Sequence, residues 1–278
     1  MTDHRGLDGL TAEELSASRR GFWDERFTGL LLSFLPASTE VLVDVGCGLA
    51  TAAHALLPAL SRARYLGIDA DEARLSQARG HLRGVPYATR VELRAARAER
   101  LPVPDASADV VLTAMTLQHL EVPGAGLLEA RRVLTAGGVF LAVEPDNLAN
   151  RFYFDGPLEE VNGAFSALFG AVREKRRPAD VAIGTEVPRH AVGAGLEVTG
   201  CLPHFLGAIR PGRAGDFLRT FARVAEVAAT SGALLPDDRR LIACRVALAE
   251  VRARIGDDTP GFGGQIVPVF LTVARRAS

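Results

Sequence analysis

Between Val41 and Glu144 the chain alternates short apolar runs with amphipathic stretches, each run ending at a turn signal. Val41–Val45, Tyr65–Ile68, Arg90–Ala95, Asp109–Thr113 and Val139–Glu144 read as strands. Helices are expected from about Thr51 to Leu60, after Asp71 as N-cap with Leu75, Ala78 and Leu82 on one face, and from Leu127 to Leu134, stopped by Gly137-Gly138. Such alternation requires parallel strands joined by right-handed crossovers and covered on both faces. Leu196–Leu202 and Ile266–Ala274 add two further strands. The expected architecture is α/β: a doubly wound, mostly parallel, seven-stranded sheet with helical cap insertions.

The flanking segments differ in character. Thr11-Ala-Glu-Glu14 is a capping-box pattern, and Trp23, Phe27, Leu30, Leu31 and Phe34 recur at helical spacing up to Pro36. Beyond Pro145 the alternation loosens: 148–183 and roughly 212–255 read as mostly helical, with a short helix at Thr185–Ala194. The implied organisation is an N-terminal helical segment (1–38), a ligand-binding core (39–145), a helical cap insertion (146–183), and the C-terminal part of the core (184–278) with a second helical insertion at about 210–256.

Asp44-Val-Gly46-Cys-Gly48 falls between the first strand and its helix, where glycines let backbone turn sharply and approach a ligand. Asp69 ends the next strand, 21 positions after Gly48, where ribose hydroxyls would lie. Thr51 replaces the third glycine of a dinucleotide fingerprint, and Asp44 puts a carboxylate where a pyrophosphate would be repelled. A cationic ligand is favoured.

VLVDVGCG (41–48), YLGIDAD (65–71), AERLPVPDASADVVLTAMTLQHL (98–120) and EARRVLTAGGVFLAVEP (129–145) together resemble the class I S-adenosylmethionine-dependent methyltransferases, in the group similar to ubiquinone/menaquinone-pathway and other small-molecule enzymes. The resemblance implies a Rossmann-like fold and S-adenosylmethionine as cofactor, with S-adenosylhomocysteine as product. It implies that Asp44, Gly46, Cys47 and Gly48 border the methionine end of the cofactor. Asp69 would accept from the ribose hydroxyls, Ala70 would pack on adenine, and Ala98 and Glu99 would line the adenine edge. Thr113, Ala114, Met115 and Gln118 would lie beside the methionine moiety. The family often has Asp before Ala98; this chain has Arg97, which leaves Glu99 to serve the adenine amine.

Plainer readings stand beside these. The glycines could simply make a tight turn, Cys47 reads as a small turn residue, and Trp23 with its neighbours reads as core or lid packing. For chemistry, the sulfonium is already an activated leaving group, so the protein must orient an O, N or C acceptor and exclude water. His119, after the fourth strand, and Glu144, ending the fifth, are the candidate catalytic residues, needed only where the acceptor loses a proton. His190 and His204 are weaker candidates.

A net charge of −1, from 32 basic and 33 acidic side chains, gives no basic excess for nucleic acid. Three cysteines without a C-x-x-C pair argue against a disulfide framework and a zinc site, so no metal is expected. No run reaches the roughly 18 apolar residues of a membrane span, and the N-terminus lacks a signal-peptide core. The expectation is a cytoplasmic enzyme with a small, fairly apolar methyl acceptor as its partner; the resemblance also leaves room for a homodimer paired through its N-terminal helix and caps. Three rivals remain open: a binding or scaffold protein that kept the fold, a nicotinamide-dependent oxidoreductase, and, disfavoured by the near-neutral charge, a macromolecular substrate such as RNA or protein.

Overall fold

The computed structural model describes residues 23–146, 149, 151–154, 158–174, 182–230 and 234–277. The capping box at Thr11–Glu14 lies outside them. Among the described residues the chain divides into two compact units, a sheet unit (23–146, 182–204, 269–277) and a helical unit (149–174, 205–268).

The sheet unit opens with α1 (Glu25–Phe34), started by Asp24, whose Oδ1 accepts the Phe27 N–H at 2.8 Å, and burying Phe27 and Leu31. Then follow β1 (Val41–Val45), α2 (Thr51–Leu56), β2 (Arg64–Asp69), α3 (Glu72–His81), β3 (Val91–Ala95), β4 (Ala108–Ala114), α4 (Pro123–Val133) and β5 (Leu134–Pro145). Asp71 caps α3 through the N–H groups of Ala73 and Arg74, and Pro123 begins α4, where its missing N–H costs nothing. β1 pairs in parallel with β2 on one side and β4 on the other, β2 with β3, and β4 with β5. Val45 stands opposite both Ile68 and Thr113. The winding therefore reverses between β1 and β4, and the carboxyl ends of these strands share one edge, where open α/β sheets bind ligands. One face is filled by a cluster that includes Val43, Ile68, Val111, Leu127 and Phe140.

The helical unit contains β6 (Arg151–Phe154), α5 (Glu159–Glu174), α7 (Ala214–Thr230) and α8 (Arg239–Arg254). α6 (Val187–Gly193) belongs to the sheet unit, while β7 (Leu196–Arg213) and β8 (Pro260–Arg276) contribute to both. β8 runs antiparallel to β5 through Val269–Arg275 and pairs with β7, which completes the mostly parallel seven-strand arrangement; β6 is a short eighth strand on residues 263–266.

The structure corrects several local expectations. Residues 151–154, expected to be helical, form a strand: an Arg-Phe-Tyr-Phe run suits a pleated surface, and β8 supplies its partner. The two helical insertions share one core, in which the rings of Phe165 and Phe221 lie 4.3 Å apart among Leu168, Leu218, Leu241 and Val251. α4 ends at Val133, before Gly137-Gly138, because strand pairing with β4 already begins at Leu134. The last two strands are also longer than their apolar runs.

Candidate functional site

The turn after β1 is held open by backbone conformation and tied to β2. Gly46 and Gly48 have φ of +75° and +53°, which side chains bearing a Cβ seldom adopt. The N–H groups of Gly46 and Cys47 donate to the Ile68 carbonyl at 2.7 and 3.0 Å. Asp69 joins two turns, its Oδ2 accepting from the Gly48 N–H at 2.8 Å and its Oδ1 from the Asp71 N–H at 2.9 Å. Each oxygen keeps a second acceptor direction. The Asp69 carbonyl takes the Ala96 N–H at 3.0 Å, anchoring the loop that carries Ala98 and Glu99.

Asp44 lies beneath this turn, 2% exposed, and receives the Tyr65 hydroxyl on Oδ2. Burial pushes its carboxyl up to about 7; the Tyr65 bond pulls down and the negative Asp69 pushes further up. Cys47 is buried, and burial with the charges of Asp44 and Asp69 pushes its thiol far up. It is a neutral filler beside Gly67, where a Cβ would come within 2.9 Å of its Sγ. The sequence alone does not single out Tyr65; its one signal there is an aromatic residue in a strand, two positions before Gly67.

β4 ends with Thr113 and Ala114, and the turn after it carries Met115 and Gln118; Thr113 and Gln118 are buried. Met115 has a φ of +59°, uncommon for a residue other than glycine. Its N–H donates to the Val143 carbonyl at 2.9 Å, and the next two N–H groups, of Thr116 and Leu117, both donate to Glu144 Oε1 at 3.0 and 2.9 Å. Glu144 is 0% exposed, and burial raises its carboxyl to about 7 against the bonds from Leu117 and Thr116. Thr116, likewise not singled out by the sequence, presses on the β1 turn: a Cβ at Gly46 would lie 2.2 Å from Thr116 Oγ1. His119 ends the same turn and is exposed.

On the loop after β3, Ala98 is buried and Glu99 half-buried. Glu99 Oε1 takes Arg97 Nη2 at 3.0 Å. Ala70 is exposed at the end of β2. His204 stacks on Phe27 with centroids 4.8 Å apart, and His190 is half-buried on α6.

The structure thus brings Asp44, Gly46, Cys47, Gly48 and Asp69 into one cluster, and Thr116 joins it to Met115–Gln118. Thr113 Oγ1, Glu99 Oε2 and Glu144 Oε2 are buried without an aligned hydrogen-bond partner among the described residues. Thr113, near the end of β4, directs its hydroxyl at the Glu144 carboxyl near the end of β5, so Glu99 Oε2, on the loop after β3, is the polar atom this edge keeps for a ligand. Among the described residues no His/Cys/Asp/Glu group could hold a metal, and no helix is long and apolar enough to cross a membrane.

Residues 43–142 match the family described as "Methyltransferase domain". An uncharacterized 37.1 kDa protein in transposon Tn4556 of Streptomyces fradiae is 33% identical over 196 residues, covering 70% of this chain and 54% of that protein. A probable S-adenosylmethionine-dependent methyltransferase of Mycolicibacterium smegmatis is 32% identical over 158 residues, 57% of this chain and 56% of its own. The ubiquinone/menaquinone biosynthesis C-methyltransferase of Geobacter sulfurreducens is 32% identical over 115 residues, 39% of this chain and 44% of its own. The chain spans about half the length of the curated relatives it matches. A geranyl diphosphate methyltransferase, solved with GPP and sinefungin, shares the fold with a TM-score of 0.52 at 14% identity, covering 91% of this chain and 78% of the other.

Proposed function

We propose, from the match of residues 43–142 to a methyltransferase domain, that this chain is a class I S-adenosylmethionine-dependent methyltransferase and that it methylates a small, fairly apolar metabolite. The observation that carries the reading is a turn with two glycines at positive φ, flanked by the carboxylates of Asp44 and Asp69. Two acids so placed suit a ligand with a cationic end and ribose hydroxyls, and oppose a pyrophosphate. The helix after the turn has only six residues, so its dipole offers little to a phosphate. That counts against a nicotinamide cofactor.

Asp44 would hold the cofactor's ammonium, Asp69 its ribose, and Ala70, Ala98 and Glu99 would border the adenine. Thr113, Ala114, Met115 and Gln118 would line the methionine side. When bound, S-adenosylmethionine supplies a methyl group already activated on a sulfonium. The protein's own task is to orient the acceptor and exclude water, which can account for roughly 7–11 kcal/mol of barrier in favourable cases. His119, exposed at the end of the β4 turn, is the residue positioned to take a proton from an acceptor that must lose one. The near-balanced charge supports a small molecule over a nucleic acid. The site residues, the cytoplasmic setting, the apolar acceptor and a homodimer stand as parts of this proposal.

Calorimetric titration tests it. S-adenosylhomocysteine should bind with a micromolar dissociation constant, and reduced nicotinamide cofactor should give no heat. A folded protein silent towards both S-adenosylmethionine and S-adenosylhomocysteine removes the reading; tight binding without turnover on any acceptor class favours the scaffold alternative.

A further inference from the structure

By sequence Glu144 is a candidate base, yet its carboxyl is occupied in another way. Three consecutive N–H groups after β4 are held by the last residues of β5: Met115 by the Val143 carbonyl, Thr116 and Leu117 by a single carboxylate oxygen of Glu144. A buried carboxyl oxygen accepting two amides holds both in place, and once ionised its bonds are charge-assisted and stronger than neutral ones. They oppose the tendency of Met115, at a φ of +59°, to leave the left-handed region.

The segment so held reaches the β1 turn through one side chain. Thr116 fills the space that a Cβ at Gly46 would need, with Oγ1 at 2.2 Å and Cγ2 at 2.4 Å from that point. The position of Thr116 therefore sets how closely the β4 turn approaches the glycine turn. Glu144 sets the position of Thr116. It lies wholly buried, with the Leu117–His119 turn bonded over it and the Gly184 turn against its own carbonyl; a Cβ at Gly184 would lie 2.5 Å from that oxygen.

We infer that Glu144 is a positioning residue: through Thr116 it fixes the spacing between the β4 turn and the Gly46 turn, and so shapes the methionine end of the cofactor site without touching the reacting atoms. The inference rests on the reading of this edge as a methyl-donor site. It differs from general-base catalysis in what each variant does to cofactor affinity, since a base acts on the acceptor and leaves affinity for S-adenosylhomocysteine unchanged.

The test is a double-mutant cycle read by calorimetry with S-adenosylhomocysteine. At pH 8, where the wild-type carboxyl is mostly ionised, Glu144→Gln keeps the shape but makes both amide bonds neutral, and should weaken binding about tenfold. Thr116→Ala removes the contact on Gly46 and should weaken binding by a similar factor. Because the two act in series, the double variant should bind about as poorly as the weaker single, well short of the roughly hundredfold loss expected for independent sites. Undiminished affinity in Glu144→Gln, or strictly multiplicative losses, overturns the inference. Should Glu144→Gln fail to fold, Thr116→Ala alone decides: unchanged affinity overturns the inference and a tenfold loss sustains it. A wild-type chain that does not bind S-adenosylhomocysteine takes the methyl-donor reading down as well, whereas normal wild-type binding with unaffected variants removes this inference only.

Discussion

Asp44 carries a carboxyl that burial keeps near neutrality, with the Tyr65 hydroxyl bonded to it and the negative Asp69 nearby. At about 7 such a group is half protonated at neutral pH without ligand. An ammonium placed against it favours the ionised form and draws the pKa back down. Binding of the cofactor should therefore release a fraction of a proton, about half at pH 7 and almost none at pH 9. Calorimetry of S-adenosylhomocysteine binding in buffers of different ionisation enthalpy reads this directly. The apparent enthalpy should vary with the buffer at pH 7, and the variation should vanish in Asp44→Asn. Buffer-independent heats in the wild type would mean that Asp44 does not face the cationic end of the ligand.

At the scale of elements, what is legible in the sequence is local and periodic. Five strands with three helices among them, the Gly46–Gly48 turn, the acid at the end of β2 and the Asp71 cap each depend on residues close together in the chain. What is not legible depends on pairings across it. Tyr65 meets Asp44 only because β1 and β2 are in parallel register, and Thr116 meets Gly46 only because β4 lies beside β1. The aromatic run at 151–154 reads locally as helix and becomes a strand because β8, more than a hundred positions later, offers it a partner. Arg90 belongs to this second kind. Its guanidinium donates to the carbonyls of Leu60 and Ala63 at 2.6 and 2.8 Å and of Leu57 at 3.0 Å, gathering the connection from α2 into β2. Nothing in the sequence near position 90 announces that role. Arg90→Met leaves three carbonyls without a charged donor and should cost about 2 kcal/mol, lowering the melting temperature by roughly 5 °C. A thermal melt of the variant checks it, and an unchanged midpoint would show that water replaces the guanidinium at no cost.

For the molecule as a whole, two buried carboxyls with raised pKa values should dominate the pH dependence of stability near neutrality. Asp44 moves from 3.8 to about 7 and Glu144 from 4.5 to about 7. Between pH 4.5 and 7 the folded chain therefore keeps protons that the unfolded chain has released, and its stability falls as pH rises, levelling off once both groups are ionised. Other groups act in the opposite direction. Glu129, lowered chiefly by its bond to Arg132, contributes stability that is lost only as pH falls below the ordinary carboxylate range. His54, lowered by burial, gains stability as pH rises towards 6.5 and none beyond it, and it is one half-buried ring against two enclosed carboxyls. Each carboxyl that stays protonated only in the folded chain changes stability by about 1.4 kcal/mol for every pH unit crossed. Urea unfolding without ligand should therefore give a free energy at pH 5 that exceeds that at pH 8 by on the order of 2–5 kcal/mol. The Asp44→Asn, Glu144→Gln double variant should lose most of this slope. Saturating S-adenosylhomocysteine should flatten the part that belongs to Asp44 and leave that of Glu144, because only Asp44 would gain a cation. A wild-type profile that is flat or rises from pH 5 to 8 would mean that water reaches these carboxyls freely, and that the interior beneath the two turns is not the dry site on which Asp44 and Glu144 depend.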